Sequence, residues 1–482
     1  MSATAVQEET AVAAPDTAAP TEPAGLPRIE DASRSMFRIV VGFCLAVMVA
    51  GFVVSGPREV WDGTVTILTS PSGLLTDYIA IASLGATLVN AGLLTLLSAL
   101  VARRLGVLYN GPVVAGLFTV FGFALFGKNL LNSVPIMLGT FLFARLEKTP
   151  FRTYLATSFF ATALAPAVSW LAFGRGLPVW QGLLLGTVAG VVIGGVMPPL
   201  AAHFLTFHRG LSLYNIGFTA GIVGMLAVAI YNAFGFEVQD AHAISSGYTT
   251  QLAVGTAVFC LVLVGNGFHL NGRSFNGLAA FLRHPGRKAD FLALEGVGRT
   301  QMNMGLMGLI AVGFVLLVGG ELSGPSLGGV YTIIGFGAFG KHARNAVPIL
   351  AGVALAALVT GSDLGSTEVI LTALFGTTLA PISGVYGPAA GLLAGFLHLA
   401  LVQNVGFLHS GLNLYNNGFA AGFVALILIP VFNALLRIRG KDPRAVDVLA
   451  ADPRTRASGR RRGCGAVIGC TSVPPGHAPR TT

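Results

Sequence analysis

Two lysines in apolar surroundings are the residues of this chain best placed to do chemistry. Lys128 and Lys341 each end the tripeptide Phe-Gly-Lys, and Asn132 and Asn345 each follow four residues later. That spacing is about one helical turn. An ammonium group can bind an anion, and an amide can donate and accept hydrogen bonds. The pattern favours a site for an anionic or polar solute, and the alternative is that the lysines anchor helix ends.

A second repeated pair supplies phenol and amide groups. Tyr214 and Asn215 lie in GLSLYNIGF, and Tyr415 and Asn416 lie in GLNLYNNGF. Such groups can orient a small polar molecule through directional hydrogen bonds. In the alternative interpretation the tyrosines lie at the membrane interface and the asparagines cap or join helices.

The third repeated feature is Gly111-Pro112, which recurs as Gly324-Pro325. Proline lacks the backbone donor of a helix and glycine favours departure from it, so we expect interrupted helices here. Broken helix at membrane depth is tolerated only inside protein or along a cavity, and paired broken segments form substrate sites in some transporters. Alternatively, Gly-Pro simply begins each helix, since proline suits the first turn.

These pairs belong to one long internal repeat. The stretch 111–144 aligns without a gap with 324–357, and Pro135 and Pro348 match along with the lysines and asparagines. A repeat of this kind predicts two similar halves that face each other.

Composition predicts where these halves reside. The chain is 54% hydrophobic and only 10% charged, whereas soluble chains carry roughly 25% charged residues. Charge is concentrated at the ends and in short breaks between apolar stretches long enough to cross a bilayer. We therefore expect an all-α polytopic transmembrane helix bundle, located in the cell (inner) membrane.

Fourteen apolar segments are predicted, seven in each half. Their approximate bounds are 36–56, 79–101, 110–127, 130–145, 153–173, 180–205, 211–234, 250–268, 294–319, 325–340, 345–360, 366–381, 385–405 and 411–436. The third and fourth segments of each half are short and interrupted by glycine and proline.

An odd number of crossings in each half would turn the second half upside down relative to the first. Basic residues collect in short cytoplasmic loops. With both termini cytoplasmic, this rule places the cluster from Arg283 to Lys288 inside and the loop with Glu237 and Asp240 outside. We therefore expect seven plus seven segments in an inverted repeat. If segments three and ten are re-entrant, each half crosses six times and the halves are parallel.

Four regions follow from this organisation. Residues 1–35 are predicted to be a disordered N-terminal arm, 36–235 the first membrane repeat, 250–436 the second, and 437–482 a basic disordered tail. The tail suits a cytoplasmic location better than nucleic-acid binding.

No HExxH, P-loop, GxSxG or CxxC signature occurs, so no enzyme, metal or cofactor is expected. Twofold repetition of polar positions suits a pathway better than a catalytic centre. We expect a secondary transporter of a small polar or anionic solute, with its site at the repeat interface and a proton or sodium ion as the coupling ion. Oligomers are possible. The alternatives are a passive channel for a small neutral solute and a membrane-embedded enzyme acting on lipid.

The paired GLxLYNxGF segments, together with the paired Phe-Gly-Lys and Val-Pro-Ile sequences, resemble a bacterial family of polytopic membrane proteins of unknown function. The resemblance covers about residues 36–436 and implies a membrane location without an established substrate. Seven plus seven inverted segments are also similar to the architecture of nucleobase and anion transporters, at the level of fold alone. A fainter likeness to urea channels lacks their full motif.

Overall fold

The computed structural model describes residues 29–236, 238 and 242–442, which form a bundle of α-helices. In the first half these are α1 (Ile29–Thr69), α2 (Tyr78–Ile81), α3 (Leu84–Arg104), α4 (Gly111–Phe123), α5 (Leu130–Leu146), α6 (Leu155–Ala161), α7 (Ala165–Phe173), α8 (Val179–His208) and α9 (Asn215–Ala233). In the second half they are α10 (Thr249–Leu270), α11 (Leu278–Phe281), α12 (Phe291–Leu317), α13 (Gly324–Phe336), α14 (Ala343–Thr360), α15 (Thr367–Gly376), α16 (Ala380–Tyr386), α17 (Pro388–Val405) and α18 (Asn416–Ile438).

The prediction of an all-α polytopic bundle is confirmed. Eleven helical stretches in the described part of the chain are long and apolar enough to cross a membrane. The other three predicted segments form α4, α5 and α13, of 13, 17 and 13 residues. A helix of 13 residues is about 20 Å long, whereas the hydrocarbon core is about 30 Å thick. The helical parts of these two segments, α4 and α13, are therefore shorter than the hydrocarbon core.

Three predicted boundaries differ from those of the helices. The disordered arm was expected to reach residue 35, but α1 already begins at Ile29. The first apolar segment was expected to end at residue 56, but α1 continues to Thr69 across a kink at Gly56, whose φ is 74°. Pro57 follows, and proline is accommodated where a helix restarts. At the other end α18 extends two residues into the predicted tail.

Parts of several predictions lie outside the described residues. These are the arm at 1–28, the tail at 443–482, and Glu237 and Asp240 in the loop between the halves.

Gly-Pro does not interrupt the third and tenth segments, contrary to one expectation. Gly111 and Pro112 begin α4, and Gly324 and Pro325 begin α13. Proline fits there because the first turn needs no donor from it.

The interruption comes at the opposite ends of these helices. α4 and α13 stop before the Phe-Gly-Lys sequences, in which Gly127 has φ 75° and Gly340 has φ 85°. Glycine adopts such left-handed backbone without a steric penalty, and a right-handed helix cannot continue through it. Segments five and twelve contain a further irregularity, since 3₁₀ turns at Thr162–Leu164 and Thr377–Leu379 divide them.

The local structure of the two halves repeats closely. α4 and α13 begin at equivalent residues of the internal repeat, as do α5 and α14. An isolated antiparallel bridge pairs Asp77 with Phe126, and the equivalent bridge in the second half pairs Asp290 with Phe339.

α4 and α13 pack against each other in antiparallel orientation. The start of α4 meets the end of α13, where a Cβ on Gly111 would lie 2.6 Å from the carbonyl oxygen of Ala338. Midway, a Cβ on Gly122 would lie 2.7 Å from the carbonyl oxygen of Gly328. Because these backbones almost touch, only glycine fits at such positions.

Candidate functional site

Six aromatic rings from both halves form the buried centre of the bundle. We call this set the central aromatic cluster; it consists of Phe123, Phe160, Tyr214, Phe336, Phe375 and Tyr415. The centroids of Tyr214 and Tyr415 are 4.9 Å apart. Phe336 lies 4.7 Å from Tyr214, and Phe123 lies 4.7 Å from Tyr415. The rings therefore form two similar pairs, one centred on each tyrosine, as a local twofold axis would produce.

Lys341 is fully buried on one flank of the central aromatic cluster. Its Nζ donates hydrogen bonds to the Tyr214 hydroxyl at 2.6 Å and to Thr377 Oγ1 at 2.7 Å. The same nitrogen lies 4.5 Å from the centroid of the Tyr214 ring. Two hydroxyls and an aromatic face thus surround this amine.

Lys128 is equally buried on the other flank but is less well bonded. Its Nζ donates to the carbonyl oxygen of Phe159 at 3.2 Å and lies 5.1 Å from the Phe123 ring centroid. The Tyr415 hydroxyl instead donates to Thr119 Oγ1, at 3.4 Å. The two flanks therefore have the same residues in different hydrogen-bonding states.

Neither lysine forms an ion pair within the described residues. Transferring an ammonium group into protein costs several kcal/mol unless it is paired. Such an amine can respond by releasing its proton or by binding an anion. The arrangement therefore offers either anion binding or proton exchange at two equivalent positions.

Asn132 and Asn345 hold the turns that carry these lysines. Their Oδ1 atoms accept hydrogen bonds from the backbone N–H groups of Asn129 and His342, both at 2.9 Å. Their Nδ2 atoms donate to the carbonyls of Gly127 at 3.0 Å and of the equivalent glycine at 2.9 Å. Both asparagines thus act on the turn and position the lysine backbone.

A second pair of asparagines bonds the broken ends of α4 and α13. Asn90 Nδ2 donates to the carbonyls of Ala124 at 2.7 Å and Lys128 at 2.9 Å. Asn303 makes the equivalent bonds to Gly337 at 2.7 Å and Lys341 at 2.8 Å. Backbone groups freed by the interruption are therefore satisfied inside the protein, as the low-dielectric interior requires.

Two carboxylates that were not predicted as site residues, the buried Asp77 and the half-buried Asp290, lie at the ends of the α4–α13 pair. Asp77 accepts hydrogen bonds from the N–H of Gly324 at 3.1 Å and from Ser245. Asp290 accepts from the N–H of Gly111 at 3.1 Å. Each carboxylate thus caps the short helix of the other half, where the helix dipole favours negative charge. The first N–H groups of α4 and α13 are occupied by protein and are not free for a solute.

A signal for these carboxylates was present in the sequence. Asp77 and Asp290 are separated by the same shift that relates Lys128 to Lys341 and the rest of the repeat. Each also precedes a helix, which is a favoured place for aspartate.

Asn215 and Asn416 are bonded to a pair of histidines. Asn215 Oδ1 lies 3.0 Å from His208 Nε2, and Asn416 Oδ1 lies 3.0 Å from His409 Nδ1. These contacts fix the starts of α9 and α18. The two helix starts meet directly, because a Cβ on Gly418 would lie 3.0 Å from the Cα of Gly217.

Two cavities enter the bundle beside the starts of α9 and α18, and the first of them reaches the central aromatic cluster. The first, of about 320 Å³, is lined by Lys288, Ser212, Tyr214 and Tyr415 among others, and we call it the Lys288 cavity. The second, of about 240 Å³, we call the Leu75 cavity. It is lined by Leu74, Leu75, His242, Glu368, Thr372, Gln403, His409, Asn413, Asn416 and Asn417, with other residues.

The two cavities occupy equivalent positions in the two halves. Ser212 and Asn413 are equivalent in the GLxLYNxGF repeats, and Lys288 and Leu75 are related by the shift that relates α4 to α13. The Lys288 cavity reaches Pro112, at the start of α4. Leu75 lies near the opposite end of α4, because it is two residues before Asp77, which forms a bridge with Phe126 just after that helix. The cavities therefore approach the centre from opposite ends of the α4–α13 pair.

The cavities bring together some of the residues predicted for the site. Pro112, Tyr214, Asn215 and Tyr415 line the Lys288 cavity, and Asn416 lines the Leu75 cavity. The remaining predicted residues line neither cavity; they are Gly111, Lys128, Asn132, Gly324, Pro325, Lys341 and Asn345. Of these, Lys341 donates a hydrogen bond to Tyr214, which lines the Lys288 cavity.

Comparison with known proteins gives a family and no relative of known activity. No curated protein and no solved structure matches the chain. A family described as a protein of unknown function (DUF1576) matches residues 56–233 and 270–434. This agrees with the resemblance expected from the repeated motifs. The multi-pass membrane protein described above therefore belongs to the DUF1576 family.

Proposed function

We propose that this protein is a secondary transporter of a small polar or anionic solute, with its site at the interface of two inverted halves. The observation that carries the proposal is the pair of equivalent cavities, which enter the bundle at opposite ends of α4 and α13, the Lys288 cavity reaching the central aromatic cluster. A carrier needs such a pair because its site must be reached from each side in turn.

An inverted relationship between the halves is supported by two antiparallel contacts. α4 and α13 are equivalent by sequence and run in opposite directions. α9 and α18 meet at Gly217 and Gly418, after which Gly224 of α9 lies beside Asn413 and His409, which precede α18. Equivalent helices that pass each other in opposite directions are expected of inverted repeats.

Unequal depth of the two cavities supports alternating access. The Lys288 cavity reaches both Tyr214 and Tyr415. The Leu75 cavity is lined by Asn413 and Asn417 and by neither tyrosine. In the conformation seen in the structure, the central aromatic cluster is thus reached through the Lys288 cavity and not through the Leu75 cavity. If the halves exchange conformations, the Leu75 cavity becomes the deeper one.

In the proposed exchange of conformations the two lysines also exchange hydrogen-bond partners. In the described state Lys341 is bonded to Tyr214 and Thr377, whereas Lys128 has only the carbonyl of Phe159. After exchange, Lys128 would bond to Tyr415, and Lys341 would be released. Such an amine would bond to internal hydroxyls in one state and would be free to bind the solute or a proton in the other. The binding of the solute would then be coupled to the change of access.

The function is tested with purified protein in liposomes. A panel of small anions and neutral polar solutes is offered with a proton gradient, with a sodium gradient and with neither. We expect gradient-dependent accumulation by the wild type and loss of it in Lys128→Ala and Lys341→Ala. Lys441→Ala is the control, because Lys441 is exposed at the end of α18.

Other results of this experiment would support one of the two alternative functions. Equilibration without accumulation would make the protein a passive channel, and turnover of lipid without flux would make it an enzyme. Wild-type flux in both buried-lysine variants would remove the lysines from the site.

A further inference from the structure

A groove of about 530 Å³ lies between α1 and α10, apart from the two cavities described above. Its walls are apolar faces of these two helices, which meet through Phe43 and Phe259 with ring centroids 4.1 Å apart. Its floor is formed by α4 and α13, with Phe121 and Tyr331 among the lining residues. The occupant of this groove would therefore touch the antiparallel pair directly.

The groove is long, narrow and open to the surroundings. Its lining residues on α1 run from Arg38 to Val54, which is about 24 Å along a helix axis. On the outer faces of the walls, Val53 is 79% exposed and Leu261 is 58% exposed. In a membrane these faces contact hydrocarbon, so the groove opens toward lipid.

Charge is found at one end of the groove. The Arg38 side chain is exposed and has no hydrogen bond or ion pair with any described residue. It lies on the same helix as Arg34, one turn away. A guanidinium at the end of an apolar groove is suited to a phosphate, which it can bind through parallel hydrogen bonds.

We propose that this groove binds one acyl chain of an anionic phospholipid whose phosphate is held by Arg38. The charge favours this occupant over a helix of a second copy, because a symmetric contact through this groove would offer Arg38 only the same lining, which contains no carboxylate. The inference stands independently of the proposed transport.

Two glycines allow the groove to be filled without disturbing its walls. Gly42 and Gly255 line it, and a Cβ on either would meet no atom within 4 Å. Leucine at these helical positions also favours helix formation over glycine. Gly265→Leu is the matched control, since Gly265 is on α10, also has open space around it, and does not line the groove.

The test is native mass spectrometry of the full chain after exposure to phosphatidylglycerol or to diacylglycerol, which lacks the phosphate. We expect the wild type and Gly265→Leu to retain one phosphatidylglycerol at low ratios, and Gly42→Leu and Gly255→Leu to lose it. Arg38→Gln should reduce retention of phosphatidylglycerol about tenfold and leave the weaker diacylglycerol adduct unchanged.

Three results would overturn the proposal. One is equal lipid retention in the two groove-filling variants and the wild type. The second is an equal loss of lipid in Gly265→Leu. The third is a wild-type dimer that Gly42→Leu converts to monomer without loss of lipid, which would give the groove to a second copy.

Discussion

The carboxylate of Asp77 accepts a hydrogen bond at 3.1 Å from the backbone N–H of Gly324, 247 residues further along the chain. The reciprocal bond joins Asp290 to Gly111 at the other end of the α4–α13 pair. Each half thus supplies the cap for the other half's short helix. These bonds hold the halves together at two places, one beside each cavity.

Loss of a cap should destabilise the fold. In Asp77→Ala the N–H groups of Gly324, Ser245 and Ile79 lose their acceptor. We expect a loss of about 1–3 kcal/mol in the free energy of unfolding, measured as a lower thermal unfolding temperature in detergent. Asp62→Ala is the control, because Asp62 is exposed and 3.9 Å from Arg58. Equal temperatures for the two variants would contradict the capping role.

The inverted arrangement predicts the sidedness of equivalent positions. Leu108 and Glu321 are equivalent in the internal repeat, and both are exposed in the turns before α4 and α13. Single cysteines at these positions, in a chain whose four native cysteines are replaced, should react with an impermeant thiol reagent from opposite sides of the membrane. Labelling of both from the same side would establish parallel halves.

The exchange of lysine partners predicts opposite effects of two matched substitutions. Tyr214→Phe removes an acceptor from Lys341 and should shift the protein toward the state open through the Leu75 cavity. Tyr415→Phe removes only a 3.4 Å bond to Thr119 and should favour the described state. The readout is thiol labelling of a cysteine at Ser212 in one cavity or at Asn413 in the other.

In Tyr214→Phe, labelling at position 212 should fall and labelling at 413 should rise, with the reverse or no change in Tyr415→Phe. The same shift in both variants would show that the lysine–tyrosine contacts do not set the conformation. Because labelling does not depend on solute, this result is separable from failure to observe transport.

Because α4 and α13 approach each other so closely, we expect even an alanine in place of a contact glycine to destabilise the protein. Gly122→Ala places a methyl group 2.7 Å from the Gly328 carbonyl oxygen, so a backbone must move. We expect destabilisation of about 1–3 kcal/mol, read as the shift in thermal unfolding. Gly313→Ala, in open space on α12, should instead be neutral or slightly stabilising because alanine favours helix. Equal stability of the two variants would show that the helices can separate freely.

The repeated lysines and tyrosines can be recognised in the sequence, but the contacts between them cannot. Lys128, Lys341, Tyr214 and Tyr415 stood out because polar residues were repeated in apolar surroundings. The bond between Lys341 and Tyr214 spans 127 residues and joins the two halves. Only the packing of one half on the other determines such a contact, so no local pattern could reveal it.

Two features that the sequence leaves undecided have a related cause. Gly-Pro is compatible with both a break and a helix start, and the cap that stabilises the start comes from a distant aspartate. Asp77 is not distinctive in the sequence, because a single carboxylate before an apolar run resembles an ordinary loop residue. In both cases the deciding partner belongs to the other half of the chain.

Lys288 lines one cavity at the position where Leu75 lines the other. If both cavities serve the same anionic solute, the lysine raises the local concentration of that solute at one face only. Half-saturation should then require less solute from the Lys288 face than from the Leu75 face. The net direction of movement would still be set by the gradients, since unequal affinities alone cannot drive accumulation. The protein would thus bind the solute at low concentrations from the Lys288 face and release it readily at the Leu75 face.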